Sequence, residues 1–137
     1  MLLANEEATQ YKHDGVGTEH ILLAIIREGE GIGAITLNRL QVQPDDIRAQ
    51  IEKLHPSGEQ PIDKGQPGMT LQGKQSIELA VQEAQALGHH YIGTEHLLLG
   101  LLREEESLAN QVLSSAGVTL EKTRELIQQL LITQGKH

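Results

Sequence analysis

Apolar positions in this chain recur at helical spacing and nowhere alternate for long. From Leu71 to Leu87, the residues Ile77, Ala80, Val81, Ala84 and Leu87 share one face, and Gly88 supplies a stop. Thr94 stands where an N-cap belongs, with Glu95 in the first turn. The stretch Leu97 to Leu102 is apolar on nearly every side, as expected of a central buried helix. Ser107 is placed to cap a third helix ending near Ala116-Gly117. Thr119 is placed to cap a fourth, with Leu120, Arg124, Ile127 and Leu131 along one stripe. The first half follows the same plan, with Pro44 near the first position of its last helix and Ile47, Ile51 and Leu54 on the inner face. Between the halves, residues 55–69 contain Pro56, Pro61 and Pro67 together with Gly58, Gly65 and Gly68, the composition of an exposed, mobile linker. The pattern predicts an all-α domain over residues 1–137: repeat one at 1–54, linker at 55–69, repeat two at 70–132.

An internal repeat underlies this plan. Gly17-Thr18-Glu19-His20-Ile21-Leu22-Leu23 returns as Gly93-Thr94-Glu95-His96-Leu97-Leu98-Leu99, a constant offset of 76 residues from Glu19 to Glu95. At that offset Glu7 maps on Glu83, Arg27-Glu28 on Arg103-Glu104, Arg48 on Arg124, and Ile51 on Ile127. Two copies in unbroken register imply a pseudo-twofold domain whose halves cover each other's apolar faces, and two copies are too few for an open solenoid. Met1 corresponds to Ile77, so repeat one has no counterparts of Thr70 to Ser76 and its first helix is cut to about three turns at best. Either the start is truncated or another chain covers the exposed site.

Composition narrows the function classes. With no Phe or Trp and only two Tyr, the core must be built from Leu, Ile, Val and Ala, which suits packed helices. Eleven Lys and Arg against 19 Asp and Glu leave a formal net charge of −8, which repels a phosphate backbone and excludes nucleic acid as the expected partner. Absence of cysteine removes disulfides, thiol nucleophiles and cysteine metal sites. No apolar run reaches the ~20 residues of a membrane span, and the first residues do not form a signal-peptide core, so a cytoplasmic protein is expected.

The duplicated segments 15–31 (Gly-Val-Gly-Thr-Glu-His-Ile-Leu-Leu-Ala-Ile-Ile-Arg-Glu-Gly-Glu-Gly) and 88–104 (Gly-His-His-Tyr-Ile-Gly-Thr-Glu-His-Leu-Leu-Leu-Gly-Leu-Leu-Arg-Glu) resemble the Clp N-terminal domain, the double Clp-N motif of ClpC-type Hsp100 unfoldases. The resemblance covers essentially the whole chain. It implies two four-helix repeats, in agreement with the periodicity, and a docking domain that delivers client proteins or adaptor proteins to a Clp-type ATPase ring. The chain itself has no Gly-x-x-x-x-Gly-Lys-[Ser/Thr] loop and no room for an ATPase module, so the ring would be a covalent or separate partner. The alternative is a free-standing, self-associating accessory protein of the same system, its shortened first helix leaving apolar surface for a like chain.

Glu19 and Glu95 are the candidate site residues. A carboxylate in a helix's first turn complements the macrodipole, worth roughly 0.3–1 kcal/mol. Repetition at equivalent positions adds a second possibility, two sites that each grip a guanidinium through a bidentate pair. In ClpC-type domains these positions resemble the acidic residues that bind phosphorylated arginine. Thr70 occupies the place of the family's threonine at the opening helix, although Thr70-Leu71-Gln72-Gly73 stands where the family has Thr-Pro-Arg-Ala. The neighbouring His20 and His96 lack the i, i+4 spacing of a zinc helix and are expected to bond local backbone; no metal or cofactor is expected. Arg27 and Arg103 are expected to close helix ends. Acid–base catalysis by Glu19 and Glu95 would need both in one cleft roughly 5–10 Å apart, whereas twofold repeats put equivalent residues in separate grooves. The expectation is a non-catalytic interaction domain.

Overall fold

The computed structural model describes residues 2–58 and 68–133. In chain order these form α1 (Leu2–Gln10), β1 (Gly15–Val16), α2 (Thr18–Glu28), α3 (Ile32–Arg39), α4 (Pro44–Leu54), β2 (Gly68–Met69), α5 (Leu71–Ala86), α6 (Thr94–Arg103), α7 (Leu108–Ser115) and α8 (Leu120–Thr133). The architecture is two four-helix repeats, with one addition to the all-α expectation. Gly15 and Val16 pair in parallel with Gly68 and Met69, so the end of the expected linker is a strand docked on repeat one. The linker's other end is also held, because the Gly58 N–H donates to the Tyr11 carbonyl at 2.8 Å. Residues 59–67 of the expected linker lie outside the described residues.

The two near-continuously apolar segments, α2 and α6, form the centre. Thr18 to Ile25 are all buried, as are Leu98 to Leu102. Helices cross between repeats with the predicted symmetry: α3 packs on α6 and α8, and α7 packs on α2 and α4. The main core joins both halves through Ile21, Leu22, Ile25, Leu98, Leu101 and Leu113, and a smaller cluster of Ile32, Leu99, Ile127, Leu130 and Leu131 closes the other side. Each half thus lacks a complete core alone. In α4, Ile47 and Ile51 are buried as expected, but Leu54 is 41 % exposed, because the last turn projects past the buried stretch.

Helix starts differ from expectation at one place. Ser107 and Thr70 cap their helices, accepting from the N–H groups of Asn110 and Gly73, each at 3.1 Å. Thr94 does not cap its own helix: the N-cap is Gly93, and Thr94 is the first helical residue. Its Oγ1 instead accepts from the Gly33 N–H of α3 at 2.9 Å, and Thr18 accepts from the Ala109 N–H of α7 at 3.3 Å. Gly33 and Ala109 are equivalent at the 76-residue offset, so each repeat satisfies an orphan donor at the start of the other's third helix.

Symmetry also exposes two strained joints. Gly88 and Gly117 end helices in the left-handed region (φ 76° and 83°). Their repeat-one equivalents, Lys12 and Gln41, adopt the same conformation (φ 59° and 65°) with side chains that disfavour it. Between α5 and α6 the backbones approach so closely that a Cβ at Gly100 would stand 2.2 Å from the Ser76 carbonyl oxygen. The α2 turn ends at left-handed Gly29, whereas α6 ends at Glu104 with φ −83°, as the unlike sequences Glu-Gly-Glu-Gly and Glu-Glu-Glu foreshadow.

Candidate functional site

Both central helices begin with the same device. The Gly17 N–H donates to His20 Nδ1 at 2.9 Å, and the Gly93 N–H donates to His96 Nδ1 at 2.8 Å. A backbone N–H only donates, so each Nδ1 is an unprotonated acceptor and each Nε2 carries the proton. His20 Nε2–H donates to His13 Nδ1 at 2.7 Å, and His13 Nε2–H donates to the Pro56 carbonyl at 2.9 Å. In repeat two, His96 Nε2–H donates to His89 Nδ1 at 2.8 Å. The histidines beside the glutamates therefore bond local backbone, as expected, and each also bonds a second histidine that reaches it from the preceding turn. Burial lowers the His20 pKa to about 4 and lowers that of His96 as well, so both rings are neutral at pH 7.

Glu19 and Glu95 occupy the first turns of α2 and α6 and are buried, with 6 % and 3 % exposure. His55, from the end of α4, bonds Glu19 Oε2 through Nδ1 at 2.7 Å. Glu95 Oε2 accepts from the Tyr91 hydroxyl at 3.0 Å. These partners are not symmetry mates: Gly15 stands at the Tyr91 position and Leu131 at the His55 position. Burial, and then Glu95 itself, raise the Tyr91 pKa, so the phenol remains a donor. Glu19 Oε1 approaches His20 Nδ1 at 3.9 Å, but that nitrogen has no proton and the contact is not an ion pair. Among the described residues neither Oε1 receives a hydrogen bond; each lies against the N-cap glycine of its helix, Gly17 or Gly93, and is not sealed from solvent, which leaves each carboxylate one acceptor within reach.

Thr70, the third candidate, lies at the start of α5 against repeat one. Its N–H donates to the Val16 carbonyl at 2.9 Å, and a Cβ at Gly15 would meet its methyl at 2.9 Å. It therefore adjoins the strand that leads into Glu19.

A second duplicated constellation was legible only as repeated letters. Glu83 is buried and receives Arg124 Nε at 3.0 Å, Arg124 Nη2 at 2.7 Å and Arg103 Nη1 at 3.2 Å. Glu7 receives Arg48 Nη1 at 2.9 Å and lies 3.5 Å from Arg27 Nη1. Hydrogen bonds from Arg124, and the charges of both arginines, lower the Glu83 pKa. Arg27 and Arg103 do lie in last helical turns, but they also tie these first-helix carboxylates to the second helix of each repeat, while Arg48 and Arg124 tie them to the fourth. The signal available beforehand was that all three residues match at the 76-residue offset.

Nothing in this geometry gathers a metal site among the described residues. His13 and His55 come close, but as stacked rings with centroids 3.6 Å apart and planes within 3°, so their lone pairs do not converge. Concave grooves lie elsewhere, among them one of about 180 Å³ lined by Ile26, Ala34, Leu37, Val42 and Pro44, and an equivalent one of about 580 Å³ beside Leu102, Asn110, Ser114 and Val118. Neither reaches Glu19 or Glu95. No helix among the described residues is long and apolar enough to cross a membrane.

Paired four-helix repeats with duplicated Gly-Thr-Glu-His helix starts define a protein class. The chain belongs to the Clp repeat (R) N-terminal domain family, whose model matches residues 1–99 and again 68–137. It is 46 % identical over 131 residues to the chaperone protein ClpB of Oceanobacillus iheyensis, covering 96 % of this chain and 16 % of that protein. It is 45 % identical over 136 residues to the negative regulator of genetic competence ClpC/MecB of Bacillus subtilis, with the same coverages, 96 % and 16 %. The chain thus spans about a sixth of the length of the curated relatives it matches. The fold is that of the Hsp104 N-terminal domain of Candida albicans (TM-score 0.74, 20 % identity, 94 % of this chain and 84 % of that one). The N-terminal domain of ClpD from Arabidopsis thaliana is similar too (TM-score 0.70, 20 % identity, 95 % and 88 %).

Proposed function

We propose that this domain is a non-catalytic docking module that receives client or adaptor proteins for a Clp-type ATPase ring, and that Glu19 and Glu95 grip guanidinium groups, including phosphorylated arginine. Family membership supports the docking role. The observation that carries the finer role is the pair of buried carboxylates at equivalent helix starts, each with one oxygen unused. A guanidinium meeting such a carboxylate forms charge-assisted bonds in a low-dielectric setting, where they are strongest. Free N–H groups of a helix's first turn suit a phosphate, and Thr70 adds a hydroxyl beside repeat one.

The test is calorimetric titration of phosphoarginine into the parent and into a Glu19→Ala, Glu95→Ala double variant, with a Glu→Gln pair as a shape-preserving control. Binding by the parent and its loss in both variants is the expected result. Unchanged affinity in a folded variant overturns the role of the two carboxylates. No binding by the parent overturns phosphoarginine recognition and leaves adaptor docking.

A further inference from the structure

Repeat one holds a titratable ring against its carboxylate that repeat two does not have. His55 Nδ1 meets Glu19 Oε2 at 2.7 Å. An ionised carboxylate only accepts, so Nδ1 carries a proton and Nε2 is the nitrogen that titrates. Among the described residues no hydrogen bond reaches His55 Nε2, and the side chain is 43 % exposed, so its second proton comes from water. The ring is fixed where it stands. It stacks on His13, which is itself pinned between His20 and the Pro56 carbonyl. Around it, α2 presents Glu19 and His20, and the turn after α1 presents His13 between exposed Lys12 and Asp14, with Tyr11 stacked on His13. On α4 itself Glu52 and Lys53 are exposed, and Arg48 is paired with Glu7. Helix α7, which also packs on α4, carries no titratable side chain. At the position equivalent to His55, repeat two has the buried Leu131.

We infer that His55 is a proton-dependent competitor for Glu19: neutral, it leaves the carboxylate's charge available to a guanidinium, and protonated, it cancels that charge in place. The neutral ring uses one lone pair of Oε2, and a carboxylate offers about four. A proton added at Nε2 breaks no hydrogen bond. It turns the Nδ1–H···Oε2 contact into an ion pair and leaves Glu19 and His55 together without net charge. A guanidinium brought to the same carboxylate then meets a like charge a few ångströms away, in a setting where charges interact strongly. Histidine is the side chain that changes charge between about pH 5 and 8, so the Glu19 site weakens as acidity rises through that range. His20 takes its proton only near pH 4, below it. The Tyr91 phenol on Glu95, its pKa raised, stays neutral throughout. This inference rests on the guanidinium-binding role proposed above and adds its control by pH, at one of the two carboxylates only.

The test is an NMR titration of phosphoarginine into the ¹⁵N-labelled 137-residue protein at pH 8 and pH 6, read at the Gly17 and Thr18 amides beside Glu19. Two variants serve as controls: His55→Gln, whose amide still donates to Glu19 but takes no proton, and His55→Leu, which installs the residue that repeat two carries. Comparing them with the parent cancels protonation of the ligand itself. Affinity scales with the fraction of molecules whose His55 is neutral, so between pH 8 and pH 6 the parent should weaken about threefold or more relative to both variants. By reciprocity, phosphoarginine added at pH 6.5 should drive the His55 ring signals towards their high-pH positions. An equal pH dependence in the parent and His55→Gln, or His55 ring signals that ignore the ligand, overturns the competitor role and leaves guanidinium binding in place. No binding at either pH by any of the three proteins overturns the phosphoarginine role of Glu19, and the competitor with it.

Discussion

Acid should unfold this domain through the histidines at its centre. The folded protein holds His20 neutral, its Nδ1 taken by the Gly17 N–H and its Nε2–H by His13, in a side chain only 1 % exposed. A proton on Nδ1 would break the first bond and bury an unsolvated charge. The unfolded chain protonates the same ring at the ordinary pKa of 6.5, whereas the folded one does so only near 4. Between these values the unfolded state carries more protons, so stability is full above pH 6.5 and falls as pH drops towards 4. The gap corresponds to about 3 kcal/mol, a large share of the roughly 5–15 kcal/mol that holds a domain folded. His96, lowered for the same reason, acts in the same direction. Urea denaturation at a series of pH values should show the midpoint falling by about 1–2 M between pH 7 and 4.5. His20→Asn, whose amide oxygen can still accept the Gly17 N–H but does not titrate, should flatten the slope at some cost in stability at pH 7. A midpoint constant from pH 7 to 5, or an acid slope unchanged by His20→Asn, would refute the assigned tautomer and its burial.

Two further variants test the comparison between repeats. Gln41→Gly gives repeat one the residue that repeat two uses at left-handed Gly117; relief of about 1–2 kcal/mol of strain, less about 0.5–1 kcal/mol of added chain entropy, should raise stability slightly, read as a thermal midpoint a few degrees higher. Thr123 Oγ1 is buried with no hydrogen-bond partner among the described residues, where repeat one has Ile47, so Thr123→Val should stabilise by about 1–2 kcal/mol in chemical denaturation.

The sites show how far local pattern reaches. Ser107 and Thr119 were legible as caps because a cap bonds an N–H three residues on, within reach of a local rule. Thr94 looked the same and was not a cap, since its hydroxyl serves Gly33 in the other repeat. Likewise Glu19 and Glu95 stood out as duplicated acids, but their partners, His55 and Tyr91, break the repeat and could not be read from it. The Glu7 and Glu83 clamps draw arginines from about 20 and 41 positions away, and only the constant offset hinted at them.

Taken alone, the amino-acid order determined the helical class, the twofold plan, the identity of the central helices and the two candidate carboxylates. Those features depend on periodicity and on a repeated motif, and both are properties of neighbours along the chain. Tertiary structure alone decided that threonines cap across the repeats and that Gly68–Met69 becomes a strand on repeat one, sealing Val16. Each of these depends on which distant backbone group lies within about 3 Å of a donor, and that distance is set only when the two halves pack.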